Sequence, residues 1–561
     1  MENKNRQSID VYKIWERYEK SKSYMQKKGI LTKTERNWNF YIGNQWSSLK
    51  DSEGLEDLPM LNFIKQTVKY KVSSIAQHSV TAEFSDLNAN NKEVCYKLGQ
   101  LFGISWNKSK MNRKSWKSLQ HSAVQGDSYV FWGEGGDTRI PPQLINNTQM
   151  KLGDENIVNI QDQPYIIIEE RLSTDVVKER ARLQGLSKEQ MGLIIPDAVT
   201  ENSLMNKEEV SNKITSLIYM EKIDGIVYVA KATKNVIYEP FRPVQQTRNG
   251  ENFGLGLTMY PIVPMIWEEV PNNARGTSEV EQLIPNQLEL NKTLARRAIS
   301  VKQSAFPRLA YDESALGNPE DLDKVGASLK VNGGNAQNIS NMIAYLSPMS
   351  QSPDASNLSA ELLQKTKDLA GASDTALGNI DLSRVSGTAA TTIRDQQQVP
   401  LNEQVAMYQE FVENVALLYF ELWKVFYPDG IEMDGVQVLA EEIENIKPNV
   451  RIDIVEDTTL SRMATQQELT NLFNNNKITF EEYADAYPEH ASIDKGILLQ
   501  IKEQRAIQQQ QQQMMMAQQQ AMMGMGDPMI DNTVQNEVPP QDVGQGGGAS
   551  YQDIQSQLAQ G

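Results

Sequence analysis

One cysteine and three histidines among 561 residues leave little material for several kinds of chemistry. The lone Cys95 cannot close an intramolecular disulfide, which excludes a stapled secreted scaffold and suits a reducing cytoplasm. His78, His121 and His490 lie far apart, and HExxH, CxxC and GxSxG are absent, so zinc and serine-hydrolase chemistry have no foothold. No GxxxxGK[ST] loop is there to cradle phosphates with backbone amides, which argues against a nucleotide-driven motor. Gly254-Leu-Gly256 has no third glycine and helix start behind it and reads as a turn. No apolar run of about 18 residues offers a membrane span, and MENKNRQSID lacks the apolar centre of a secretory signal. No cofactor is expected.

Positive charge is also scarce, with 55 Lys and Arg against 72 Asp and Glu and a formal charge of -17. Such a chain repels nucleic acid on average and is no generalised DNA clamp. A conduit through which DNA slides gains from few phosphate contacts, because each one adds affinity and therefore drag. Ordinary solubility accounts for the same charge equally well.

What is there reads as α+β. The length exceeds the roughly 250 to 300 residues at which a single core stops growing, so more than one domain is expected. Residues 10 to 80 read as helix broken by a turn, with Trp38, Tyr41 and Trp46 around Gly43-Asn44 as core aromatics. A helical stretch with Trp106 and Trp116 follows, then a strand from Gly126 to Trp132 that opens a β-rich region reaching Trp267. Within it, two β-branched runs flank Asp224-Gly225, a pair suited to the positive backbone angles of a tight hairpin. Residues 174 to 211 are polar and helical in composition and read as an insertion at the outer edge.

After residue 277, Ser278 with Glu281 matches a capping box, and a helix runs to Ala305 with a bend at Pro285. Its apolar positions include Val280, Ile284, Leu288, Ala295 and Ile299, widened by Leu283, Leu290, Leu294, Ala298 and Val301, while Glu289, Lys292, Arg296, Ser300 and Gln303 share a narrow polar stripe. Residues 306 to 354, punctuated by proline and glycine, read as a small α+β module, followed by a helix to Ala370 and a loop through Gly387. The next helix, interrupted at Pro400, spaces Leu401, Val405, Tyr408, Val412, Val415, Tyr419, Leu422 and Phe426 by fours and threes, the signature of one long packing seam. A strand at 450 to 455 and helices from 465 to 507 come next. The tail from Gln508 is rich in Gln, Met, Gly and Pro, which suits disorder or a helix formed on assembly.

The order of these features resembles the portal proteins of tailed bacteriophages. The text that carries the resemblance is Gly43-Asn-Gln-Trp46, Asn62-Phe-Ile-Lys65, Arg275-Gly-Thr-Ser-Glu-Val-Glu281, Pro285-Asn-Gln-Leu-Glu-Leu-Asn-Lys292, Ser373-Asp-Thr-Ala-Leu-Gly-Asn379 and Ser386-Gly-Thr-Ala-Ala390. It covers about residues 30 to 500. The resemblance implies a wing (1–276), a first stem helix (277–305), a clip (306–354), a second stem helix (355–371), a tunnel loop (372–387), the wing's long helix and return strand (388–455) and a crown (456–507), ahead of the tail (508–561). It implies a dodecameric ring at one capsid vertex, through which double-stranded DNA enters and leaves. The implied partners are other copies of the chain, the terminase large subunit, head-tail adaptors, and major capsid and scaffolding proteins, with no membrane. The implied location is the virion, after assembly in the host cytoplasm.

On that mapping Asp381, Ser383 and Arg384 of the tunnel loop lie nearest DNA, and Lys292, Arg296 and Lys302 offer cationic belts in the stem, where residues 290 to 304 hold no acid. Arg297 lies off the polar stripe and equally suits an ion pair with a neighbouring subunit. Asp312, Glu313, Glu320, Asp321 and Asp323 make the clip acidic, which favours protein over DNA. Two rival readings stand beside the noncatalytic ring. One is a nuclease using Glu268-Glu269, Glu441-Glu442 or Asp453 with Asp457 to hold magnesium, against which exposed acidic runs are common. The other is a tail adaptor or another virion component.

Overall fold

The structure, a computed structural model, describes residues 9–46, 60–76, 79–86, 91–133, 136–197, 212–248, 251–305, 308–311, 343–346, 353–369, 371, 399–444, 446–455, 459–487 and eleven positions between 497 and 515. It is α+β and divides into two compact units, the first holding nearly everything up to Ile454 and the second mainly the residues from Val455 onward.

The first unit opens on α1 (Val11–Lys27) and α2 (Ile30–Ile42). Asp10 caps α1 by accepting from the Tyr12 amide, and Gly29, at φ +69°, turns the chain between the two helices in a conformation that disfavours a side chain. Helix α3 (Phe63–Ala76) and strand β1 (Ser79–Asp86) lead to α4 (Lys92–Lys108) and α5 (Met111–Gln125). Strands β2 (Asp127–Phe131) and β3 (Gln143–Asn146) follow. All five residues of β2 are buried, because α5 packs beside it and strands pair on both of its edges.

A five-stranded antiparallel sheet comes from β4 (Met150–Leu152), β5 (Tyr165–Ser173), β6 (Lys213–Ile223), β7 (Ile226–Ala232) and β8 (Ile237–Pro243), paired in that order. Period-two alternation decides which side each residue serves. Ile166, Ile168, Ile218 and Met220 enter the main core, whereas Tyr165, Ile167, Leu217 and Tyr219 pack on Ile14 and Tyr18 of α1. Between β6 and β7 the Asp224-Gly225 hairpin forms as its sequence predicts, with φ of 50° and 81° and Ile223 facing Ile226. The edge insertion contains α6 (Thr174–Leu183) and α7 (Lys188–Gly192). It is less polar than its composition suggests, since Val177, Ala181 and Ile194 form a small core with Ile214 and Tyr238.

Strands β9 (Gln245–Arg248) and β10 (Glu251–Gly256) form a hairpin, and β11 (Ile262–Ile266) pairs with β2. Helix α8 (Glu279–Ala305) runs unbroken through Pro285. Strands β12 (Arg308–Tyr311) and β13 (Ile343–Leu346) pair antiparallel before α9 (Pro353–Leu369). Helix α10 (Asn402–Phe426) follows a short turn at Val399–Leu401. Strands β14 (Ile431–Met433) and β15 (Val436–Val438), helix α11 (Ala440–Glu444) and strand β16 (Pro448–Val455), which pairs with β1, complete this part of the chain.

The sequence predicts a single stripe on α10, but burial spreads further round the helix. Leu401, Tyr408, Val412, Val415, Tyr419 and Leu422 are buried and Val405 partly so, and Phe411, Ala416, Leu418, Phe420 and Trp423 are buried as well. The reason is that α3, α11, β9, β10 and β11 all pack on this helix. Its polar tips are satisfied inside the core, where Trp423 Nε1 donates to Thr138 Oγ1 at 3.0 Å and the Tyr419 hydroxyl shares a hydrogen bond with Ser109.

In the second unit α12 (Thr459–Asn474) and α13 (Phe480–Ala486) are separated by a turn in which Asn476 adopts φ +51° and Thr479 forms a capping box with Glu482. Tyr483, Ala484, Tyr487 and Leu498 make its core, flanked by Phe473 and Phe480.

Candidate functional site: a helical pair and its buried anchor

The start of α8 is held by groups whose burial requires partners. Ser278 caps the helix by accepting from the Val280 and Glu281 amides at 3.0 and 3.3 Å, while its own hydroxyl donates to the Val124 carbonyl at 2.7 Å. The carboxylate of Glu281 pairs with Lys33 of α2 at 2.8 Å. Behind the cap, Gly126 sits at φ +99°, and a Cβ there would stand 2.4 Å from the Gly276 carbonyl oxygen. A Cβ on Gly276 would stand 2.7 Å from the Gly126 carbonyl. Two backbones therefore cross at a distance only glycine permits.

Next to this crossing Arg275, buried, spends its planar fork on four acceptors. Nε and Nη2 bond the two Glu155 oxygens at 2.8 and 3.0 Å, Nη1 bonds the Asn147 carbonyl at 3.0 Å and Nη2 also bonds the Met150 carbonyl at 2.9 Å. Asp127 lies 3.5 Å from the same guanidinium, and burial pushes its carboxyl up to about 6 while Arg275 pulls the other way. A second buried pair, Lys71 Nζ to Glu279 Oε1 at 2.8 Å, ties α3 to the first residue of α8, and Trp267 Nε1 donates to the other Glu279 oxygen at 3.2 Å.

About two turns further on, buried amides replace ions. Gln287 accepts from the Phe63 amide at 3.2 Å and donates to the Leu61 carbonyl at 2.6 Å and to Asn291 at 2.9 Å. Asn291 donates to Gln45 at 2.5 Å, and Gln45 donates to the Phe40 carbonyl at 2.9 Å. The face read as apolar thus carries a hydrogen-bonded ladder, and it joins Gly43–Trp46, Asn62–Lys65 and Pro285–Lys292, three of the segments on which the resemblance rests.

Beyond Ala295 burial ends. Val280, Leu283, Ile284 and Leu290 are in the core, but Arg296 and Arg297 are exposed, as are Ile299 (39%) and Val301 (61%). Helix α9 packs on α8, with Asn286 Nδ2 donating to Thr366 Oγ1 at 3.1 Å, and it too is largely exposed, including Leu358 at 54%. That contact lies near the start of α8 and the end of α9, while the β12–β13 ladder matches Arg308 with Leu346. The chain therefore runs out along α8, over roughly 40 Å at 1.5 Å per residue, and returns along α9.

Of the cationic stem residues, Lys292 and Arg296 are exposed but lie 4.0 and 3.7 Å from Glu289, so an acid just outside the basic stretch moderates both. Arg297 makes no ion pair among the described residues. The side chain of Lys302 lies outside the described residues, as do Asp381, Ser383 and Arg384 of the loop and Asp312, Glu313, Glu320, Asp321 and Asp323 of the acidic module. Two of the acids considered for magnesium serve locally, while Asp457 and the side chain of Asp453 lie outside the described residues. Glu268 accepts from Gln282 at 2.9 Å, and Glu442 caps α11 by accepting from the Leu439 amide at 2.9 Å. Among the described residues no three His, Cys, Asp or Glu side chains are grouped to hold a metal ion, and no helix is long and apolar enough to cross a membrane.

Sequence reasoning missed the anchor itself. Lys71, Asp127, Glu155, Glu279, Gln287 and Asn291 look like surface residues, because nothing in a charge or an amide announces a buried partner more than 100 positions away. The available signal was text: Arg275, Glu279, Gln287 and Asn291 all fall inside segments that carry the resemblance.

Fold and site define a class, an α+β chain whose long helix is locked by buried ion pairs and leaves its core together with a returning partner. No protein-family model and no curated protein sequence matches the chain. Among solved structures, it is similar to a chain of the virion of a native gene transfer agent particle, with a TM-score of 0.34, 10% identity, and coverage of 74% of this chain and 86% of that one. It is also similar to a chain in the neck of an empty particle of the same kind, with a TM-score of 0.33, 9% identity and the same coverage.

Proposed function

We propose that the chain is a portal subunit: a noncatalytic component of a dodecameric ring that conducts double-stranded DNA into a capsid and out again, and that docks the terminase large subunit and later the head-tail adaptors. The observation that carries this reading is the α8–α9 pair, fastened rigidly at one end and exposing apolar side chains at the other. Ile299, Val301 and Leu358 gain nothing from water, and closure of many copies into a ring gives such a pair neighbours on both sides. Major capsid and scaffolding proteins are the expected surroundings at the vertex, and the virion is the expected location.

In this reading Asp381, Ser383 and Arg384 lie closest to the DNA, with Lys292, Arg296 and Lys302 along the channel and the module of residues 306–354 against protein partners. Sequence-independent contact needs only a few cations per subunit. Arg384→Ala is expected to assemble into rings like the unmodified chain while altering DNA packaging or genome retention. A variant that packages and retains DNA normally, or fails to form rings, removes Arg384 from that role.

A further inference from the structure

The start of α5 carries a row of cations that the α8–α9 pair does not use. Lys110, Arg113, Lys114 and Lys117 are spaced i, i+3, i+4 and i+7, which puts them on one side of the helix over about 10 Å at 1.5 Å per residue. Lys110 and Arg113 are exposed, and Lys114 and Lys117 are half-buried. Lys108, just ahead of the row, is held by Asp434, whereas among the described residues none of the four makes an ion pair. Burial, with Lys117 and Arg113 close by, pushes the Lys114 ammonium below its ordinary value, and no carboxylate pulls it back. In a chain of net charge -17, such a row needs a reason.

Helix stability does not supply that reason. The partial positive charge of a helix start favours acids in the first turn and Ser, Thr, Asp or Asn at the cap. Here the first turn holds no acid, and the cap is Lys110 at φ +56°, with no side-chain hydrogen bond to the helix. Each choice works against the helix, and each concentrates positive charge in one place. Ser278 meets the other end of α5, at Val124, so the row stands apart from the anchor.

The partner follows from what this surface lacks as well as from its charge. Among the described residues between Tyr96 and Ile140 no large apolar side chain is exposed, so a protein or a lipid bilayer finds no anchor to bury. A phosphate backbone asks only for cations and neutral donors, and the exposed Asn112 adds an amide donor in the first turn. No aromatic is exposed there for an unpaired base to stack on, which favours a duplex over a single strand. We infer that Lys110, Arg113, Lys114 and Lys117 form a sequence-independent contact for the backbone of double-stranded DNA, separate from the loop and stem contacts proposed above.

The test is filter binding of the full chain to a relaxed, covalently closed circular duplex across a salt series. A closed circle cannot be threaded through a preformed ring, so it reports contacts outside a channel. Changing all four residues to Gln is expected to weaken binding at least about 30-fold at about 50 mM salt and to reduce the salt slope by about 3–4. The milder pair Arg113→Gln and Lys117→Gln is expected to reduce the slope by about 2. A control in which the exposed Lys13, Lys20, Lys188 and Lys234 are changed to Gln is expected to lose less than about threefold. Poly-L-glutamate at equal charge is expected to compete at least about tenfold more weakly than unlabelled circle, because its charges are more widely spaced. No binding of the circle, undiminished affinity and slope in the Gln variants, an equal loss in the control, or equal competition by poly-L-glutamate overturns the assignment. If the fourfold variant does not fold, the paired variant decides, and a slope shallower than about 3 on the unmodified chain also overturns it.

Discussion

Arg275→Ala is expected to lower stability by about 3–5 kcal/mol, because it leaves Asp127 and Glu155 buried without their cation. The loss reaches further than two carboxylates. The same guanidinium holds the carbonyls of Asn147 and Met150, and it lies one residue from the Gly126–Gly276 crossing that starts α8. Arg275→Lys is expected to recover only part of the loss, since an ammonium restores the charge but cannot span four acceptors set out for a planar fork. Chemical denaturation followed by tryptophan fluorescence and circular dichroism reads both variants. A change below about 1 kcal/mol in Arg275→Ala would show that the buried ion cluster does not hold the base of the helix.

Val412→Asp is expected to cost at least about 4 kcal/mol, enough to abolish folding or assembly of a marginally stable chain. Val412 is fully buried, midway along α10, among Tyr408, Phe411, Val415 and Ala416. A carboxylate there meets no cation and must stay protonated or drag water inward. Val415→Asp is expected to behave alike, because Val415 is also fully buried. The readouts are soluble yield, helical circular dichroism and particle size. Normal folding and assembly of both variants would mean that this helix is not the packing centre it is taken to be.

The two variants also mark what the sequence made legible. The seam of α10 is visible as a spacing of threes and fours, since that period places residues on one side of a helix. What periodicity could not show is how much more of the helix is covered, because Leu418, Phe420 and Trp423 owe their burial to strands and helices from distant parts of the chain. The 224–225 hairpin was legible because Asp-Gly meets a local backbone demand. Strands β3 and β4, of four and three residues, are too short to carry a pattern. In α8 the cap at Ser278 and the apolar positions were readable, but Gln287 and Asn291 were not. An amide facing a hidden carbonyl and one facing water are written with the same letter. Arg275 is the sharpest case, as composition places arginine at the surface whereas the fold encloses it.

In a portal ring, α8 and α9 would line an open axis once many copies close into a circle. Electron micrographs of the purified full chain test it most directly. The expected images show rings of uniform diameter with a central hole, twelve subunits in class averages, and the helical pair of each subunit facing the hole. A population of compact monomers, or filaments with no open axis, contradicts it.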